Sequence, residues 1–221
     1  MSPGTIELPL FPLNVVLFPG MVLPLHIFEP RYRLMIAECQ KEDKLFGVVL
    51  ARAESEHLRE EPYPVGTTAD IQELDELADG RYNLMAMGVH RFRILSQHRE
   101  KPYLSGLVER YEDVPEPEQQ LTIAARQAQD LFNTFLRMLF QAAGKKASPV
   151  NIPALPEELS YFIAYLMDME LEQKQQLLES TSTLQRLQEE ITVLRREVPF
   201  MRQMLTGGSH FNEYPDRSIL N

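Results

Sequence analysis

Apolar positions crowd the opening of the chain: from Leu8 to Phe28, 21 residues pass without a formal charge. A run of about 20 apolar residues can cross a bilayer as a helix. Here Pro9, Pro12, Pro19 and Pro24 would each remove a backbone donor and clash with the preceding turn. With Asn14 and Gly20 added, a lone spanning helix would carry unpaired backbone groups into lipid. The run is instead predicted to form short extended pieces, broken at Pro12, Pro19-Gly20 and Pro24, that wrap the inside of a small barrel.

The strand-like pattern continues to about Asp113. Leu45 to Ala51 is a nearly continuous apolar run, and Thr67 to Leu77 mixes β-branched and apolar residues with acidic ones. Asp79-Gly80 separates the latter from Arg81 to Val89, and Asp-Gly between two such runs predicts a hairpin because both residues tolerate positive φ. Val89 to Ser96 and Tyr103 to Tyr111 supply the remaining strands. One helix interrupts them, since Pro30 suits a first helical turn and Tyr32, Met35, Ile36 and Cys39 recur at helical spacing.

The character changes across Glu112 to Glu118, after which the period is helical. Leu121, Ala124, Ala128, Leu131, Phe135, Met138 and Ala142 form a stripe that Phe132, Leu136 and Leu139 widen, so this helix needs more than one partner. Gly144 stops it, and a polar loop with Pro149, Pro153 and Pro156 follows. A short helix is expected through Leu159, Phe162, Ile163 and Leu166, and another from near Asp168 through Leu171, Leu177 and Leu178. Ser182 and Gln185 stand in capping-box positions for the last helix, which Pro199 is expected to kink. Three heptads with an internal proline suit one stripe of an intramolecular bundle better than a coiled coil. The expected class is α+β: a β pseudo-barrel with one inserted helix over residues 1–116, a helical bundle over 117–206 sharing an interface with it, and a mobile tail over 207–221.

Composition narrows the function. With 44% hydrophobic residues, the chain of 221 can bury one large core or two small ones, as a soluble globular protein does. Met1 to Glu7 has no basic start of the secretory kind, so a cytoplasmic location without membrane contact is expected. The one cysteine, Cys39, reads as packing rather than as a nucleophile. The net charge of −10 is spread evenly: 18 acidic and 12 basic residues to Asp113, 14 and 10 beyond it. Such a chain repels nucleic acid at long range. The alternative reading is RNA binding, because His90-Arg91-Phe92-Arg93, joined by Arg99 and Lys101, interleaves basic and aromatic residues as single-strand binders do.

Signatures of catalysis are missing. Gly144-Lys145 has Leu139 where a phosphate loop needs glycine, and Lys146 follows where Ser or Thr is needed. There is no HExxH, no cysteine pair and no Gly-x-Ser-x-Gly. His26, His57, His90, His98 and His210 lack metal-ligand spacing. Glu73, Asp75 and Glu76 cluster beside the predicted turn and read as a solvated face rather than as acid–base partners. No enzyme activity, cofactor or metal is expected.

The candidate binding residues are Phe18, Pro19, Met21, Tyr32 and Tyr82. Phe18 to Met21 forms an apolar turn at the barrel's end, either a contact patch for hydrophobic polypeptide, where methionine adapts to irregular partners, or a surface covered by the bundle. Tyr32 and Tyr82 are amphipathic and suit a groove or a core edge. Glu29 and Arg31 flank the helix start and are expected to pair locally.

Several separated segments, in order, resemble the amino-terminal substrate-binding domain of Lon proteases. They are the opening Leu8 to Ile36; Val65-Gly66-Thr67-Thr68-Ala69 with Glu73-Leu74; Asp79-Gly80-Arg81-Tyr82-Asn83-Leu84; Gly88-Val89-His90-Arg91-Phe92-Arg93-Ile94; and Lys174-Gln175-Gln176-Leu177-Leu178-Glu179. The resemblance covers most of Ile6 to Leu205. It implies a PUA-like barrel followed by a helical bundle, as a standalone module without the ATPase and protease domains. The implied role is non-catalytic: binding unfolded or hydrophobic polypeptide, as an adaptor or substrate-holding factor alongside a separate protease or chaperone. Nothing in the chain resembles the Ser-Lys protease site of Lon.

Overall fold

Strands fill the first half of the chain and helices the second: β1 (Thr5–Leu13), β2 (Val22–Ile27), α1 (Pro30–Glu42), β3 (Phe46–Leu50), β4 (Val65–Glu76), β5 (Tyr82–His98), β6 (Ser105–Arg110), α2 (Glu118–Ala142), α3 (Pro156–Leu166), α4 (Leu171–Glu179) and α5 (Thr183–Thr206). The computed structural model describes residues 4–52, 61–144 and 150–206. The tail expected over 207–221, His57, His210 and part of the loop around Pro149 lie outside them. Among the described residues no helix is long and apolar enough to cross a membrane.

The class is α+β. The strands lie in the order β2-β5-β4-β3-β1-β6, and β6 pairs back onto β5, so five strands close a barrel and β2 adds to its outside. β5 makes this possible. Its first half, from Tyr82 to Met87, pairs with β2, and its second half, from Phe92 to His98, pairs with β6. The sequence reading split this 17-residue strand in two at Val89. The structure runs through that point because the strand changes partner there without stopping.

Of the opening prolines, Pro9, Pro12 and Pro24 lie inside strands, while Pro19 stands with Gly20 in the turn between β1 and β2, where a break is expected. β1 pairs with β6 over Thr5 to Pro9 and with β3 over Leu10 to Leu13, so each half is bonded on one side only. A proline can sit in such a strand with its missing donor on the free side. The Asp-Gly hairpin forms as expected: Gly80 has φ 76°, and its amide and that of Leu77 close the turn onto Leu77 and Arg81.

The sheet packs on α1 through Phe11, Ile27, Met35, Ile36, Phe46 and Leu84. Cys39 lies in the same core, where burial pushes its thiol up to about 11. A smaller cluster of Leu8, Leu10, Val49, Phe92 and Val108 fills the barrel itself. The wide stripe of α2 is buried against both α3 and α5, through Phe132, Phe135, Leu159, Ile163, Leu187 and Leu194. α5 continues through Pro199, and Ser182 Oγ caps it by accepting from the Gln185 amide at 2.9 Å.

Glu190 on α5 is wholly buried, and neither carboxylate oxygen has a hydrogen-bond partner. Burial drives its carboxyl well above the glutamate range, and the Arg186 charge one turn away only partly opposes this. The fold therefore holds the proton more tightly than the unfolded chain does. That support is complete below about pH 4.3, the ordinary glutamate value, and is lost as pH rises through the raised folded-state value. Glu190→Gln should remove the dependence, so its melting temperature should gain on wild type steadily as pH is raised. Parallel melting curves across pH would contradict this account.

Candidate functional site

One face of the sheet extension lies open. β2, the adjoining half of β5 and the end of β4 form three columns of outward side chains whose register places them in rows. Val22 stands beside Met87 and Met87 beside Asp70; Pro24 beside Met85 and Met85 beside Glu73; His26 beside Asn83 and Asn83 beside Asp75. The alternate residues Leu23, Leu25, Leu84, Ala86, Ile71 and Leu74 turn inward to the α1 core. The period of two thus gives one sheet a dry face and an open face.

The open face is apolar on one side and acidic on the other. Val22 is 42% exposed and Phe28, just past the end of β2, is 60% exposed. Met85 and Met87 are half-buried, and Glu73 and Asp75 are exposed. Phe28 stacks on His26 with ring centroids 6.1 Å apart, and His26 Nδ1 lies 2.6 Å from Asn83 Oδ1. A shallow groove of about 410 Å³ runs between Pro24, His26, Met85 and the two carboxylates. The face offers apolar contact and negative charge, with no nucleophile and base in contact.

The residues singled out from sequence lie elsewhere. Phe18 is 0% exposed and stacks on Tyr161 of α3, with Leu177 and Leu178 of α4 in the same cluster. Its turn is tied to β5: the Gly20 amide donates to Gly88 O at 2.8 Å, and the Gly88 amide to Met21 O at 2.9 Å. A Cβ on Gly88 would sit 2.4 Å from Phe18 O, so only glycine permits this approach. Pro19 and Met21 are half-buried, and Met21 packs against both neighbouring cores. Tyr32 and Tyr82 are buried in the α1 core, Tyr32 with its ring 4.2 Å from Phe11. The helices cover Phe18 and α1 covers the tyrosines, so these three side chains are packed into cores, while Pro19 lines a cleft with Arg91, Asp113 and Tyr161 where barrel meets bundle. Glu29 does pair with Arg31, at 2.9 Å.

Burial withdraws Arg91 and Phe92 from the basic and aromatic patch, while His90, Arg93, Arg99 and Lys101 stay exposed. Phe92 fills the barrel core, and Arg93 donates to Glu109 at 2.9 Å. Arg91 is buried where barrel meets bundle. It donates to the carbonyls of Leu178 and Ser180 at 2.7 and 2.6 Å and to Asp113 Oδ1. Arg186 on α5, fully buried, donates to both oxygens of the same carboxylate at 2.9 and 2.5 Å, and to Ser160 Oγ at 3.0 Å. The Tyr161 ring lies against both guanidiniums. Burial alone would raise the Asp113 carboxyl, but the Arg186 bonds and charge, with Thr183 and Arg91, hold it below the usual aspartate range. These groups are spent on one another and join barrel, linker and bundle.

Comparison with known proteins places this architecture. The family model for the ATP-dependent protease La (LON) substrate-binding domain matches residues 7–196. The Lon protease of Anaeromyxobacter dehalogenans is 29% identical over 197 residues, 86% of this chain and 23% of that protein. Lon protease 2 of Myxococcus xanthus is also 29% identical over 197 residues, covering 86% of this chain and 24% of its own. The chain thus spans about a quarter of the length of these relatives. The crystal structure of a Lon N-terminal domain protein from Xanthomonas campestris superposes with TM-score 0.61 at 26% identity, covering 85% of this chain and 98% of that one. The N-terminal domain of Mycobacterium avium complex Lon protease shares the fold, with TM-score 0.67 at 20% identity over 86% of this chain and 98% of that one.

Proposed function

The chain belongs to the Lon substrate-binding domain family, and from that premise we propose that it is a non-catalytic module that holds unfolded polypeptide on the open face of β2, β5 and β4. The observation that carries this reading is the cross-strand cluster of exposed Val22 and Pro24 with half-buried Met85, and exposed Phe28 at its end. Scattered apolar residues on a surface need no explanation, whereas a contiguous strip rimmed by polar groups marks an interaction site. Methionine suits partners of varied shape because its unbranched side chain repacks easily. In this reading the module delivers or retains unfolded chains for a separate protease or chaperone and performs no chemistry on them.

The test is capture of a permanently unfolded protein, such as a reduced and carboxymethylated globular protein, compared with its native form. Wild type should bind the unfolded form selectively. The triple variant Val22→Ser/Phe28→Ser/Met85→Ser should weaken capture at least about tenfold, since exposed apolar anchors dominate such contacts. Its melting temperature should move little, because Val22 and Phe28 contribute mostly solvent-facing surface. Capture that is absent in wild type, or unchanged in the variant, would remove the reading.

A further inference from the structure

The open face carries a charge pattern that an indiscriminate hydrophobic site does not need. The outward residues of β4, namely Asp70, Glu73 and Asp75, run as a rail beside the methionine column. The side chains of Glu73 and Asp75 make no hydrogen bond or ion pair with any described residue, while the Asp70 carboxylate accepts one bond from Gln72 at 2.8 Å. Arg81, in the hairpin at this end of the face, is engaged: it pairs with Asp79 at 2.6 Å and its Nη1 lies 3.3 Å from His26 Nε2, while the Arg33 guanidinium lies over Gly80 of the same turn. The rail therefore faces the apolar strip uncompensated.

We infer that the open face selects cationic amphipathic segments, with apolar residues on one flank and Lys or Arg on the other. This rests on the reading of that face as a polypeptide site and names the class of chain it accepts. The geometry supplies the reason. Neighbouring strands lie about 4.8 Å apart, so the acidic column is one strand from Met85 and Met87 and two from Val22 and Pro24. A segment lying along β5, with its apolar side over Val22, Pro24 and the methionines, brings the long stems of Lys or Arg to Glu73 and Asp75. An acidic segment in the same place would set like charges together with no cation between them. A nucleic acid or an anionic lipid surface would meet the same repulsion.

The experiment uses two labelled peptides of about 14 residues, long enough as a helix to cover the three rows, with identical apolar positions and either lysine or glutamate on one flank. Fluorescence anisotropy against the full chain should show the lysine peptide binding about tenfold more tightly at low salt, as two or three exposed ion pairs allow. The preference should shrink as salt is raised to about 0.5 M, where screening acts within about 4 Å. Glu73→Lys/Asp75→Lys should reverse the preference while leaving the melting curve in place. If both peptides bind equally and lose affinity together in Val22→Ser/Phe28→Ser/Met85→Ser, polypeptide binding stands and charge selection is overturned. If neither binds, both readings fall. Self-association of the free protein that the triple variant abolishes would assign the face to a second copy of this chain and overturn the inference too.

Discussion

Asp113→Ala should be among the most damaging single substitutions in this protein, costing about 3–5 kcal/mol, as removing one partner from a buried ion cluster does. The loss is large because of what remains. Arg91 and Arg186 are both buried, and without the carboxylate two guanidiniums face each other with no anion between them. Arg186 would keep Ser160, and Arg91 the carbonyls at the end of α4, but neither partner carries compensating charge. Asp113→Asn keeps an acceptor and should be less severe than alanine. Acid titration adds a second arm. The folded-state carboxyl lies below its unfolded value, so its contribution is full above about pH 3.9 and is lost as pH falls through the depressed value. Urea denaturation at neutral pH measures the first effect, and a loss below about 1 kcal/mol would mean the cluster is solvated and worth no more than a surface pair.

Phe18→Ala should cost a similar amount, about 3–5 kcal/mol, from lost transfer energy and the cavity left behind. The ring is sealed between the barrel strands and the helices, against Tyr161, Leu177 and Leu178. The damage should therefore appear as loosening of the barrel from the bundle. It should leave capture of unfolded polypeptide by the folded fraction unchanged, the reverse of the pattern expected for the Val22, Phe28 and Met85 variant. A full-strength melting curve combined with weakened capture would put Phe18 at the surface and contradict the packing described above.

The elements were largely legible in the sequence because they depend on local signals. Asp79-Gly80 marks its hairpin, Pro30 opens α1, and the spacing from Leu121 to Ala142 gives α2. The fusion of two apparent strands into β5 was hidden, since periodicity records which face a residue takes and not which neighbour its backbone pairs with. The site was harder to read for a related reason. Phe18 and Met21 drew attention as apolar residues beside a turn, yet exposure there depends on helices more than 100 positions later. Met85 and Met87 look like ordinary strand residues until β2 stops at the sheet's edge and leaves their face open. Glu73 and Asp75 read from sequence as a solvated face. They are solvated, and what the register adds is that they border the methionines. Asp113 lay in what read as a linker, because nothing local announces an anion awaited by two distant arginines.

The outermost strand carries a hazard that its sequence also contains. Among the described residues, β2 pairs with β5 and with no strand beyond it. The Gly88 to Met21 bond sets the phase of that ladder, so Val22, Pro24 and His26 turn their backbone groups away from β5. An apolar strand with an open row of amides is a template for edge-to-edge growth between molecules. Pro24, in the middle of the row, has no amide to offer. A second strand approaching from outside meets a gap where it needs a donor, and a continuous intermolecular ladder cannot propagate. Pro24 thus leaves a break in the outer row of amides that disfavours pairing of one copy's edge with the next, while the face beside it stays open.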